Sequence, residues 1–242
     1  MVAVIWEELS PWYVRPRTQR EWMLIAAGFR ARWYFSNVLG ALDGKEFKIR
    51  PLPHTGTLYY NYKKFTSIKM MATCDAFYRF TWVDVGNFVF RNTHFYEDLR
   101  KGCVDLPPSC ELPRTRIKMP YFFIVDKIFL ATEKVIIPFA RRYGLDAGQK
   151  NFNYRLSKAR HTIEAAFGIL TATWQILKDT LKFKVETSIN IVLATVCLHN
   201  FLITRRLQRG EEVQWDPQND RFYDVNPDDD DDLLREDDED NS

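Results

Sequence analysis

Hydrophobic positions in the first half of the chain form short continuous runs that are typical of β-strands. An apolar run covers residues 38–42, and residues 46–49 form a strand-like segment on the other side of Asp43-Gly44. Two further strand-like segments, residues 66–74 and 77–85, are separated by only two residues and predict a β-hairpin. Another apolar run at residues 121–125 predicts one more buried strand.

The spacing becomes helical elsewhere. Residues 20–29 carry apolar side chains at helical intervals, and residues 130–139 are consistent with a short helix. A long amphipathic helix is predicted from apolar residues that recur every three or four positions: Leu156, Ala159, Ile163, Ala166, Phe167, Leu170, Trp174 and Leu177. A final helix is expected at about 187–206. This order of elements predicts an α/β fold with a mixed sheet and flanking helices.

Length and composition indicate one globular domain with appendages. The chain has 242 residues, of which 46% are hydrophobic and 15% aromatic, enough for one substantial core. We divide it into an N-terminal helical lead-in at 1–36, a main domain at 37–206 and an acidic, disordered tail at 207–242.

The charge is distributed unevenly. Residues 224–242 contain 11 acids and one base, a local charge of −10, whereas the whole chain carries +2, so the remainder carries +12. Such a surplus suits binding to phosphates, and it is equally compatible with an ordinary solvated surface. The tail either masks the basic surface, recruits a basic partner or serves only to keep the chain soluble.

Several classes of protein are disfavoured by the sequence. The four cysteines show no Cys-x-x-Cys spacing, and no secretory signal precedes them, so free thiols are expected. The histidines also lack zinc-like spacing. The apolar segment 189–203 is interrupted by polar residues and is too short to cross a bilayer, so no membrane association is expected.

Three acids stand out by position. Asp43 and Asp126 each end an apolar run that predicts a buried strand, and Glu164 lies beside Ile163 on the long predicted helix. Two neighbouring strand ends are rigid enough to hold carboxylates around a divalent cation, and the helix is placed to supply a third ligand. This is the geometry of a metal-dependent site that cuts phosphodiester bonds.

Each acid also has a structural interpretation. Asp43 with Gly44 is a familiar turn pair, Asp126 is placed to cap a following helix, and Glu164 is placed to pair with Arg160 or Arg155. The set is more informative than its members, because converging carboxylates repel one another unless a cation is bound between them.

Basic residues interleaved with aromatic ones surround these acids in the sequence. Such a pattern neutralises phosphates and stacks on nucleotides, although tyrosines 59 and 60 also suit loop packing. The candidate nucleic-acid-binding residues are Lys45, Lys63, Lys64, Arg155, Lys158 and Arg160.

Four ordered motifs, which span much of the stretch from about residue 18 to 206, resemble those of the PIF/Harbinger transposases and the nucleases derived from them. The motifs are Leu39–Lys45, Tyr60–Ile68, Phe152–Arg160 with Glu164–Leu170, and Cys197–Asn200. The resemblance implies an RNase H-like fold and a DDE triad of Asp43, Asp126 and Glu164 that binds Mg²⁺ or Mn²⁺. It further implies a two-metal DNA endonuclease, in which Lys45 and Arg160 contact phosphate or support the ligands.

The chain departs from the family pattern at three places. Gly86 and Asn87 run directly into Phe88, where relatives carry a glycine- and serine-rich turn with another acid. Lys127 follows Asp126 where relatives have an acid or serine, and the residue before Asp126 is valine instead of glycine. The third departure is the N-terminal region, where residues 1–36 accommodate only a remnant of a helical DNA-binding segment.

These departures keep a second function class open, a catalytically impaired module that binds DNA or other proteins. The resemblance implies DNA as a partner and also a Myb-like DNA-binding protein. It further predicts residence in the nucleus, with the cytoplasm as the alternative.

Overall fold

The computed structural model describes residues 1–51, 59–61, 63–87, 90–129, 131–140, 144–211, 214–216 and 221–223. Five helices are present in these ranges: α1 (Val2–Tyr13), α2 (Gln19–Trp33), α3 (His94–Lys101), α4 (Ala147–Thr173) and α5 (Val185–Gln208). The strands are β1 (Val38–Lys48), β2 (Ser67–Cys74), β3 (Phe80–Gly86), β4 (Cys110–Glu111), β5 (Lys118–Met119), β6 (Phe122–Ile124), β7 (Val135–Ile136), β8 (Gln214–Asp216) and β9 (Arg221–Tyr223).

The central sheet has five strands in the order β3-β2-β1-β6-β7. β3 pairs antiparallel with β2, and β2 pairs antiparallel with β1. The pairs β1–β6 and β6–β7 are parallel. A mixed five-stranded sheet of this kind with flanking helices is the RNase H-like fold expected from the sequence. The β2–β3 hairpin is also confirmed, and Asp75 closes its turn by accepting hydrogen bonds from the amides of Phe77 and Arg79.

β1 corrects the expectation of a turn at Asp43-Gly44. The strand is continuous, and Asp43 pairs with Ala72 while Gly44 pairs with Met71. An Asp-Gly pair forms a hairpin turn only when its two flanking runs pair with each other. Here both runs pair with β2 instead, so Asp43 lies within the strand and not at its exit.

The predicted helix at 130–139 is also wrong. In the described part of that segment, β7 forms the parallel edge of the sheet, and the amide of Val125 donates to the carbonyl of Ile136 over 3.1 Å. Short apolar runs carry no clear periodicity, so their choice between strand and helix depends on the available partner. Here that partner is β6.

Helices cover both faces of the sheet. Phe122 of β6 packs edge-on against Phe35, which in turn contacts Phe152 of α4. Its neighbour Phe123 points the other way, toward Trp22 of α2 and Phe95 of α3. Successive residues of one short strand therefore contact the helices on opposite faces of the sheet. Both long helices predicted for the second half are confirmed as α4 and α5.

The helix predicted in the N-terminal segment 1–36 is confirmed as α2. The helix begins with a capping box between Thr18 and Glu21, and its Trp22 and Phe29 are buried in the main core. The lead-in therefore packs as part of the folded body. Where the domain boundary falls stays a prediction.

The C-terminal segment 207–242 contains the last residues of α5 and the paired strands β8 and β9. The acidic stretch 224–242 lies outside the described residues. α5 is long and apolar enough to pass the criteria for a membrane span, but 56% of its apolar window is buried inside the fold, which favours a core helix. All four cysteines are free thiols, as expected.

Candidate functional site

Neighbouring parallel strands position the two aspartates. β1 and β6 pair as far as Ala41 and Ile124, so Asp43 on β1 and Asp126 in the turn after β6 each lie two residues beyond the last pair. Adjacent strands lie about 5 Å apart, and residues two positions beyond a paired couple point to the same face. The sheet therefore brings the two aspartates near each other, and the charge of Asp126 acts on Asp43.

Asp43 is half-buried, and its Oδ1 accepts a hydrogen bond of 2.7 Å from the amide of Gly44. Burial raises the pKa of Asp43 above its ordinary value, and the charges of Glu164 and Asp126 raise it further. The Gly44 amide and the Arg160 guanidinium act in the opposite direction. These interactions put Asp126 and Glu164 each within electrostatic range of Asp43.

Asp126 lies in a tight turn after β6. Its Oδ1 accepts 2.7 Å from the amide of Lys127, and its carbonyl accepts 3.1 Å from the amide of Phe129. The segment that follows is a turn, so Asp126 does not cap a helix. The Lys127 amide thus orients the carboxylate, whereas the Lys127 side chain is exposed.

Glu164 lies on the exposed side of α4 and is already paired. Its two carboxylate oxygens contact Arg160 at 2.5 Å and His161 at 3.0 Å. The hydrogen bond from His161 is the main cause that lowers the pKa of Glu164, and Arg160 adds to it. The pairing with Arg160 that the sequence suggested is confirmed, and it engages the oxygens that a cation would need.

Carboxylate oxygens are the donors that Mg²⁺ and Mn²⁺ prefer. Asp43 and Asp126 suit such an ion, because each uses Oδ1 for a backbone amide and keeps Oδ2 for a further partner. Within the described ranges, no group of three or more His, Cys, Asp or Glu side chains is close enough to hold a metal ion. Two aspartates therefore form the nucleus of the candidate site, and Glu164 joins them only by exchanging its partners.

The candidate basic residues separate into two groups. Lys45 and Lys63 line a recess beside Asp43. Burial, and then the charge of Lys63, lowers the pKa of Lys45. Arg160 is directed at Glu164 and Asp43. These three belong to the candidate site by position.

The other basic candidates have different surroundings. The Arg155 guanidinium donates 2.6 Å to the carbonyl of Tyr34, which anchors α4 to the end of α2. Lys158 lies over the ring of Tyr154 on the exposed side of the same helix. Lys64 is exposed in a left-handed backbone conformation. Their role in binding nucleic acid stays a prediction.

The tyrosines predicted for the same region also differ from one another. Tyr59 packs against the core, as expected for at least one of the pair, whereas Tyr60 is about half exposed. Tyr62, like Phe88 in the departing loop, lies outside the described residues.

The recess beside Asp43 has a volume of about 590 Å³. Sequence reasoning assigned only Asp43, Lys45 and Lys63 of its lining to the site. It missed Lys69, Arg91, Tyr96 and Phe129 among others, because only the tertiary fold brings β2, the turn after β3, α3 and the turn after Asp126 together. The described lining consists of Asp43, Gly44, Lys45, Glu46, Lys63, Phe65, Lys69, Met71, Phe90, Arg91, Tyr96, Ile128 and Phe129.

The motif Cys197–Asn200 has a structural role. Asn200 is 1% exposed, and its amide joins the backbone N–H and C=O of Phe80 to the carbonyl of Tyr13. His199 is buried and contacts the carbonyl of Tyr78 at 2.8 Å. These contacts attach α5 to β3 and α1, away from the two aspartates on β1 and after β6.

Comparison with known proteins gives a match to a protein family. Residues 42–200 match the protein family described as DDE superfamily endonuclease, which covers well over half of the chain. No curated protein and no solved structure matches the chain. The matched region begins beside Asp43, ends at Asn200 and contains the two aspartates, Glu164 and the recess.

Proposed function

We propose, since the chain belongs to the DDE superfamily endonuclease family, that it is a divalent-metal-dependent endonuclease that hydrolyses phosphodiester bonds of DNA. The observation that carries the proposal is the proximity of Asp43 on β1 to Asp126 in the turn after the neighbouring parallel strand β6. Each lies two residues beyond the last pair of the two strands, and the charge of Asp126 acts on Asp43. Burial raises the pKa of Asp43 and the charges of Glu164 and Asp126 raise it further, and a cation bound between such carboxylates stabilises their charged forms.

Each residue has a role that follows from its surroundings. Asp43 and Asp126 would hold Mg²⁺ or Mn²⁺ through the carboxylate oxygens directed away from the backbone amides. When bound, such ions activate a water or a DNA 3′-hydroxyl and stabilise the leaving oxygen. Glu164 would complete the ligand set after release from Arg160 and His161, and Arg160 would then be available to a DNA phosphate.

We also propose a transposase ancestry of the Harbinger type, a Myb-like DNA-binding partner and residence in the nucleus. The order and content of the four motifs support the ancestry. Fusion to a fluorescent protein tests the location, and exclusion of the fusion from nuclei would remove that proposal.

Nicking of supercoiled plasmid tests the enzymatic proposal. The purified chain is incubated with plasmid and Mn²⁺, beside Asp43→Asn and the matched control Asp105→Asn, an exposed aspartate that accepts a hydrogen bond from Gln19. We expect nicking by the wild type and by Asp105→Asn, and its loss in Asp43→Asn. Absence of nicking in the wild type, or equal nicking in all three, contradicts the proposal.

One observation favours a second function, that of a DNA-binding module with little or no cleavage. Both oxygens of Glu164 are engaged by Arg160 and His161, so the third ligand is held in an ion-paired state. Salt-sensitive DNA binding without nicking supports this alternative. The variant His161→Ala distinguishes a suppressed site from a dead one, because it frees one Glu164 oxygen and raises nicking only if the site is competent.

A further inference from the structure

We infer that the recess beside Asp43 binds a single nucleotide of the DNA strand that has left the base stack. The inference rests on the proposed function for the identity of the polymer, and it adds a subsite that recognises one unstacked base and its phosphate. Enzymes that act on strands within a duplex need such a receptor whenever a nucleotide is displaced.

The recess exists because two neighbouring strands differ in length. The pairing of β1 with β6 ends at Ala41 and Ile124, whereas β1 continues to Lys48. The edge of β1 beyond Ala41 is thus bordered by the turn after Asp126 instead of by a strand. The volume of the recess, about 590 Å³, falls within the range of about 300–1,000 Å³ that is typical of small-ligand sites.

The charge of the recess suits a phosphate. Four bases and two acids are among its described lining residues, which leaves an excess of two positive charges. Lys69 forms an ion pair with Glu46 at 3.1 Å, and Lys45, Lys63 and Arg91 are the other basic residues of the lining beside Asp43. A DNA phosphate next to the phosphodiester bond that is positioned for cleavage at Asp43 would contact these side chains.

One wall of the recess is aromatic. Phe90 is buried and holds Tyr96 and Phe129 edge-on, with ring centroids 5.1 and 5.8 Å away. Tyr96 and Phe129 are themselves only partly buried, so part of each ring faces the recess. Phe65 lines the recess too, with Lys48 over its ring at 5.2 Å. Aromatic rings beside bases form a stacking site that accepts any nucleobase.

The geometry also selects against a paired base. The recess is lined by the sheet edge, the turn after Asp126 and the N-terminal part of α3, and its volume matches one small ligand and not a duplex. A nucleotide enters it only after unpairing, and this costs least when the nucleotide is already unpaired. The structure therefore predicts a preference for DNA that carries an unpaired nucleotide.

The test compares two short duplexes that differ at one position. One carries an unpaired 2-aminopurine, and in the other the same base is paired with thymine. Binding is measured by fluorescence anisotropy in Ca²⁺, so that cleavage does not interfere, and base unstacking is measured from 2-aminopurine emission. The variants are Phe129→Ala and the exposed Arg91→Gln, with Phe201→Ala on α5 and the exposed Arg116→Gln as matched controls.

We expect the wild type to bind the unpaired duplex more tightly and to change its emission. Removal of the stacking ring in Phe129→Ala should weaken binding of that duplex by about 5- to 150-fold relative to the paired one. Arg91→Gln should reduce the same preference, and both controls should retain it. Equal affinities in the wild type, a preference that survives both recess variants, or an equal loss in the controls would overturn the inference.

The plasmid assay keeps the two proposals apart. Asp43-dependent nicking without any preference for the unpaired duplex refutes the subsite alone. A recess-dependent preference without nicking refutes the nuclease and leaves the subsite in a DNA-binding protein.

Discussion

Asn200 provides a quantitative test of whether the last family motif is structural or catalytic. In Asn200→Ala, the backbone N–H and C=O of Phe80 and the carbonyl of Tyr13 lose their partners at 2.8, 2.7 and 2.9 Å. A buried polar group left without a partner costs about 1–3 kcal/mol, so the two Phe80 groups and the lost Tyr13 bond together predict a loss of about 3–6 kcal/mol in the free energy of unfolding.

Urea unfolding measures that loss. The matched control is Asn151→Ala, which removes an amide that accepts only from Arg155 on the exposed side of α4 and should change stability by no more than about 0.5 kcal/mol. Well below the unfolding transition, Asn200→Ala should keep the nicking activity of the wild type. A change in stability as small as that of the control, or a folded variant that no longer nicks, would refute the structural role.

Two further predictions concern the core. Burial lowers the pKa of His199 to about 4 from 6.5, so between these values the unfolded chain binds a proton that the folded chain does not. Stability should therefore fall by about 3 kcal/mol as the pH falls through that window. Urea unfolding across it should show this slope in the wild type and lack it in His199→Gln; parallel curves would contradict the assignment. In Gly40→Ala, the added Cβ would lie 3.1 Å from the carbonyl oxygen of Cys74 and 3.3 Å from the Phe123 ring. We therefore expect the free energy of unfolding to fall by about 1–3 kcal/mol. An unchanged melting temperature would contradict this close packing.

The long helices and the hairpin were predictable because their signals are local. α4 repeats its apolar stripe over many turns, and the β2–β3 segments read as strands on both sides of a short turn. The turn predicted at Asp43-Gly44 was wrong because an Asp-Gly pair forms a turn only when its flanking segments pair with each other. Here both segments pair with β2, more than 20 residues away. The helix predicted at 130–139 was wrong for a similar reason, because Val135 forms a strand only by pairing with the edge of β6.

The candidate site was predictable in part. The chain positions of Asp43 and Asp126 predicted neighbouring strand ends, and β1 and β6 are indeed adjacent. The ion pairing of Glu164 with Arg160 was foreseen as an alternative, whereas the contact with His161 was not. Arg91, Tyr96 and Phe129 carry no local signal that relates them to Asp43, because only the tertiary fold brings them to the same recess.

Binding of Mn²⁺, followed by electron paramagnetic resonance, tests most directly whether Asp43 and Asp126 form one cation site. We expect the wild type to bind the ion, and Asp43→Asn and Asp126→Asn each to lose about tenfold or more in affinity. The double variant should be little worse than either single one, because both residues serve the same ion. Wild-type affinity in either single variant, with the fold intact by circular dichroism, would contradict the account.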